Sequence, residues 1–113
     1  MHEFSIAMNI VDVATDHARK ENVSSVRVIE IEVGELSGVV PDALEFCLEA
    51  AVKGSVLEGA DRKLIRIPGK AKCRKCGHEF PVHDLYILCP ECGSPAPEIL
   101  EGSELRVRSL LVE

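Results

Sequence analysis

Tryptophan is absent from this 113-residue chain and aromatics are scarce: one tyrosine, Tyr86, and three phenylalanines, Phe4, Phe46 and Phe80. Unstructured nucleic acid is gripped by stacking bases on aromatic rings, so this scarcity argues against such a partner. No apolar run approaches the roughly 18 residues of a membrane span, and no charged-then-apolar leader opens the chain. The expectation is a cytoplasmic protein with no membrane partner. A phosphate-cradling loop is missing too, because Gly34-Glu35-Leu36-Ser37-Gly38 lacks the lysine that completes a P-loop. Ser5, Ser24, Ser25 and Ser37 have no histidine at a telling spacing, and Glu30 and Glu32 read as the wet face of a strand. Nothing here reads as an enzyme, and no catalytic residue is assigned.

Hydrophobic residues make up 46% of the chain, ordinary for a globular fold of this length. The net charge of −6 is unevenly spread. Seven of the 13 Lys and Arg (Arg62, Lys63, Arg66, Lys70, Lys72, Arg74 and Lys75) lie in one stretch without an acid. Such a strip could grip phosphates, dock an acidic protein, or simply be a solvated strand face.

Ile6, Ile10, Val13, Ala14, His17 and Ala18 recur at helical spacing, so residues 4–21 read as an amphipathic helix with Ser5 near its start and Asn22 at its end. Residues 25–33 alternate as a strand, with Ile29, Ile31 and Val33 on one face. Pro41 and Asp42 suit the first turn of a second helix, whose buried stripe is expected to be Leu44, Cys47, Leu48 and Ala51. Cys47 thus reads as a small core residue. Residues 63–67 and 104–112 read as further strands, the last with Leu105, Val107 and Leu111 on one side. The fold class is α+β, two helices packed on a small three-stranded sheet with an inserted zinc-ribbon module. Residues 1–68 and 101–113 would form the main domain and 69–100 the ribbon, an irregular piece without a core of its own.

The ribbon is read from Cys73-Arg74-Lys75-Cys76-Gly77 and Cys89-Pro90-Glu91-Cys92-Gly93. Four thiolates in two such knuckles can close a tetrahedron around Zn²⁺, and each glycine permits the left-handed turn that aims both sulfurs at one ion. A cluster of this kind is structural, since no coordination position stays open. His78 and His83 fall within the ribbon; they read as exposed residues or partners of a sulfur or carbonyl rather than ligands.

Folding does not explain Met1-His2-Glu3. The α-amine of Met1, the His2 amide and the His2 imidazole can share one plane, and a nitrogen-rich square plane suits Ni²⁺ or Cu²⁺ better than Zn²⁺. Glu3 could add a further donor. The opening Met1-His2-Glu3-Phe4-Ser5, then Val33-Gly34-Glu35-Leu36-Ser37-Gly38-Val39, Pro41-Asp42-Ala43-Leu44-Glu45-Phe46 and the four-cysteine ribbon together resemble the HypA (HybF) family over essentially the whole chain. These are nickel metallochaperones of [NiFe]-hydrogenase maturation. The resemblance implies that His2 and nearby backbone nitrogens bind Ni²⁺, with Glu3 beside them in binding or transfer. It also implies that Cys73, Cys76, Cys89 and Cys92 hold structural zinc. Expected partners are the nickel-handling GTPase HypB and the hydrogenase large-subunit precursor, with urease maturation factors served by some relatives.

Overall fold

The structure, a computed structural model, describes residues 3–112. The elements run α1 (Glu3–Lys20), β1 (Val26–Gly34), α2 (Pro41–Ala51), β2 (Asp61–Ile67), β3 (Gly69–Lys72), β4 (Glu79–Val82), β5 (Glu98–Glu101) and β6 (Leu105–Val112). They form two three-stranded sheets, ordered β2-β1-β6 and β4-β3-β5. No helix is long and apolar enough to cross a membrane among the described residues.

The chain divides into two compact units. The first comprises 3–32, Val39–Ile65 and 106–112; the second comprises Val33–Gly38 and Arg66–Leu105. The second unit is therefore larger than the contiguous 69–100 module expected from the cysteines. It takes in the Gly34–Gly38 segment and the ends of the strands that lead into it.

In the first unit α1 buries Ala7, Ile10, Val11, Ala14 and Ala18. Asn22, at φ 57°, closes the helix with the left-handed residue that ends many helices. Ser5 lies inside α1 and not at its start, because Glu3 already has helical backbone. His17 is exposed. Along β1, Ile29, Ile31 and Val33 are buried, while Glu32 meets Arg106 at 2.6 Å and Glu30 accepts the Ser109 hydroxyl at 2.7 Å. α2 buries Leu44 and Leu48; Cys47 and Ala51 are only half-buried at the flank of that stripe. On β6 the alternation slips by one at Arg108-Ser109, both exposed, so Leu110 turns inward and Leu111 outward. Leu111 thus sits opposite its expected side.

The second unit is not irregular. β3 pairs antiparallel with β4 and β5, and Ala71, Cys73, Phe80, Val82 and Cys89 form a buried cluster with Leu36, Ile87 and Ile99 packed against it. The expectation of a coreless ribbon fails because Leu36 comes from the distant Gly34–Gly38 segment and short strands align the rest. Pro81 is tolerated because β4 lies at the sheet edge.

Candidate metal centre

Both knuckles repeat one backbone arrangement. Gly77 and Gly93 have φ of 80° and 75°. Their amides donate to the carbonyls of Cys73 and Cys89 at 3.1 and 2.8 Å, and the Cys73 and Cys89 amides donate to the carbonyls of His78 and Ser94 at 2.9 and 3.0 Å. These turns bring together the four sulfurs the spacing singled out. The Sγ atoms of Cys73, Cys76, Cys89 and Cys92 all lie within 4.8 Å of one another. Cys73 to Cys92 is 3.5 Å and Cys76 to Cys89 is 3.6 Å. A tetrahedron with sulfurs about 2.3 Å from a central Zn²⁺ has edges of about 3.8 Å, so the cluster has the right size for one such ion. Among the described residues no cysteine is in a disulfide.

Amide hydrogens aim at the sulfurs. Cys76 and Lys75 donate to Cys73 Sγ, each at 3.4 Å, and Glu91 donates to Cys89 Sγ at 3.4 Å. The Cys76 amide above all draws the Cys73 thiol down to about 6. Cys76 goes the other way: the His78 amide lowers it, but lost hydration and three crowding sulfurs outweigh that and push it up to about 12. Four sulfurs this close cannot all ionise unless a cation shares the space, which is the chemistry of a metal-thiolate site. Among the described residues the cluster that could hold a metal ion consists of these four cysteines, without His78 or His83.

His78 stacks its ring on Phe80 with centroids 5.8 Å apart. His83 Nδ1 sits 2.8 Å from Glu35 Oε2, and Glu35 Oε1 accepts the Gly69 amide at 2.9 Å. Glu35 is held below the ordinary carboxylate range, first by the Gly69 amide and then by His83. This clamp was not foreseen in the sequence. Its signal was a glutamate between glycines, in a stretch with no periodicity to account for it.

Four of the seven basic residues in the strip are answered by neighbours. In the first unit Arg62 Nε donates to Glu45 at 2.9 Å. In the second, Lys70 meets Glu79 at 3.1 Å, Lys72 stands opposite Glu79 and Glu98 across the sheet, and Arg74 donates to the Ala96 carbonyl. Cross-strand carboxylates answer the lysines, which favours a solvated sheet face over a phosphate grip.

Of the expected nickel ligands, Met1 and His2 lie outside the described residues. Glu3 is the first residue of α1, and its Oε2 accepts the Val40 amide at 3.5 Å, beside the start of α2.

Comparison with known proteins agrees with the fold. The family model described as "Hydrogenase/urease nickel incorporation, metallochaperone, hypA" matches residues 1–112. A hydrogenase maturation factor HypA of Geobacter metallireducens is 44% identical over 113 residues, covering all of both chains. One from Dechloromonas aromatica is 39% identical with the same coverage. The solution structure of the Ni metallochaperone HypA from Helicobacter pylori superposes with a TM-score of 0.74 at 25% identity, covering 99% of this chain and 97% of that one. The chain belongs to the HypA family, the nickel metallochaperones of hydrogenase maturation.

Proposed function

We propose that this chain is a cytoplasmic nickel carrier. It takes up Ni²⁺ at Met1-His2-Glu3 and hands it on during [NiFe]-hydrogenase maturation, while Cys73, Cys76, Cys89 and Cys92 hold one structural Zn²⁺. The observation that carries this reading is the closed geometry of the thiolate cluster. Four ligands at tetrahedral spacing leave no open position, so that site suits a resident ion and not a cargo. Cargo requires donors that can release it, and the α-amine, amide and imidazole at Met1 and His2 are of that kind. Glu3 supports them from the start of α1. The reading includes HypB as the GTPase partner, the hydrogenase large-subunit precursor as recipient, and urease maturation factors as a further destination. The chain itself catalyses no reaction in this scheme; it binds and releases.

The test is a nickel titration of untagged, zinc-loaded protein beside His2→Ala. One Ni²⁺ per chain with a diamagnetic, square-planar spectrum is expected for the parent. In His2→Ala the binding should vanish while zinc content and fold persist. Equal affinity in both proteins would overturn the site.

A further inference from the structure

The outer face of α1 and α2 in the first unit combines two features that folding does not require. It exposes large apolar side chains: Phe46 is 75% exposed, Val40 57%, Phe4 54% and Met8 39%. It also carries acids without lysine or arginine, since neither 3–18 nor 39–52 contains either, and His17 lies on the opposite flank of α1.

Helix geometry places these residues on one side. A groove lined by Val13, His17, Val107 and Leu110 turns one flank of α1 toward β6. Phe4 and Met8, spaced i and i+4, lie on the opposite flank. Glu3 bonding to Val40 sets the beginnings of the two helices side by side. On α2, Leu44 and Leu48 turn inward and Glu45 is tied to Arg62. The face left to solvent is Asp42, Phe46 and Glu49. Asp12 adds a third exposed acid on α1. Single exposed apolar residues are common, but apolar side chains rimmed by charge of one sign mark a site of association.

We propose that Phe4, Met8, Val40 and Phe46, rimmed by Asp12, Asp42 and Glu49, form the docking surface for a basic segment of the protein partner in nickel transfer. The segment is anchored by its own apolar side chains. Charge complementarity selects this occupant. Anionic lipid would be repelled by the same acids, and an acidic segment likewise. An amphipathic helix laid across this face, apolar residues down and lysines or arginines out toward the rim, satisfies both features. The surface adjoins Glu3, so the segment would bind beside the proposed nickel donors. This inference rests on the reading of the chain as a carrier that works with HypB and the hydrogenase precursor.

Binding of purified HypB, and separately of purified hydrogenase large-subunit precursor, should be measured by calorimetry for three proteins. These are the parent, Phe46→Ser and the double variant Asp12→Lys with Glu49→Lys. All the changed residues are exposed, so thermal unfolding should match the parent. At least one of the two proteins should bind the parent and lose tenfold or more in affinity with each variant, a loss of about 1.4 kcal/mol. Nickel binding should be unchanged. Tyr86→Ser, which removes a still more exposed ring from the second unit, should leave the affinity as it was. Equal binding by parent and variants would overturn the surface and leave the partnership standing. Failure of the parent to bind either protein would overturn the partnership, and the surface with it.

Discussion

Glu35 and His83, 48 positions apart in sequence, meet with Oε2 and Nδ1 at 2.8 Å. Through its other oxygen the same carboxylate accepts the Gly69 amide, so one side chain ties the Gly34–Gly38 segment both to the start of β3 and to the loop after β4.

That clamp has a pH signature. The Gly69 amide, then His83, holds the Glu35 carboxylate below its ordinary value. A carboxylate so depressed contributes its stability in full above its unfolded value, about 4.3, and loses it as pH falls through the folded value. Stability should therefore decline as pH drops below about 4.3. Denaturant melts of the parent and Glu35→Gln across pH 7 to 3 check this. The variant should be the less stable at neutral pH, and the gap should close in acid.

Removing the metal should act on one unit only. Structural zinc contributes on the order of 10 kcal/mol in isolated zinc peptides. The second unit's own cluster is small, built on Ala71, Phe80, Val82 and two of the cysteines themselves. Cys89→Ser, or treatment with a strong chelator, should collapse the amide NMR dispersion of 66–105. Signals from α1 and α2 should persist, with their core of Ile29, Ile31, Leu44 and Leu48 intact.

Two glycines separate steric crowding from backbone conformation. A Cβ on Gly34 would lie 2.0 Å from the Gly102 carbonyl oxygen, whereas one on Gly38 would meet nothing within 4 Å and suffer only from φ of 81°. Gly34→Ala should cost about 3 kcal/mol, the upper end of overpacking. Gly38→Ala should cost about 1 kcal/mol. Equilibrium unfolding in urea measures both.

Leu48→Ala should destabilise the first unit by about 3 kcal/mol, as expected for a fully buried leucine. Cys47→Ala, at a half-buried position one residue away, should cost less than about 1 kcal/mol. It should also leave zinc and nickel stoichiometry unchanged when both are measured by atomic emission.

The elements with strong periodicity were legible in the sequence. Ile29, Ile31 and Val33 alternate cleanly, the small and branched residues of α1 repeat at helical spacing, and the two Cys-x-x-Cys-Gly knuckles specify their own turns. Three things were not legible. Gly-Lys-Ala-Lys and Glu-Phe-Pro-Val are four-residue strands with weak intrinsic preference, and only pairing across the sheet makes them strands. The slip on β6 that turns Leu111 outward leaves no mark in local composition. The reach of Glu35 to Gly69 and His83 depends on contacts far apart in the chain, which no window of neighbouring residues contains.

Gly34, Gly69 and Gly102 press backbone against backbone, each without room for a side chain, and they come from three separate passages of the chain. The zinc-ribbon unit is therefore no cassette. A peptide cut at 69 and 100 would carry all four cysteines yet leave behind Glu35, Leu36 and two of the three glycines at the junction. It could bind metal and still lack a wall of its own interior. Transplanting this unit into another protein requires carrying a six-residue splint, Val33–Gly38, that precedes α2 in the sequence. Recombination between relatives that breaks between that splint and β3 would pair mismatched halves of one small core.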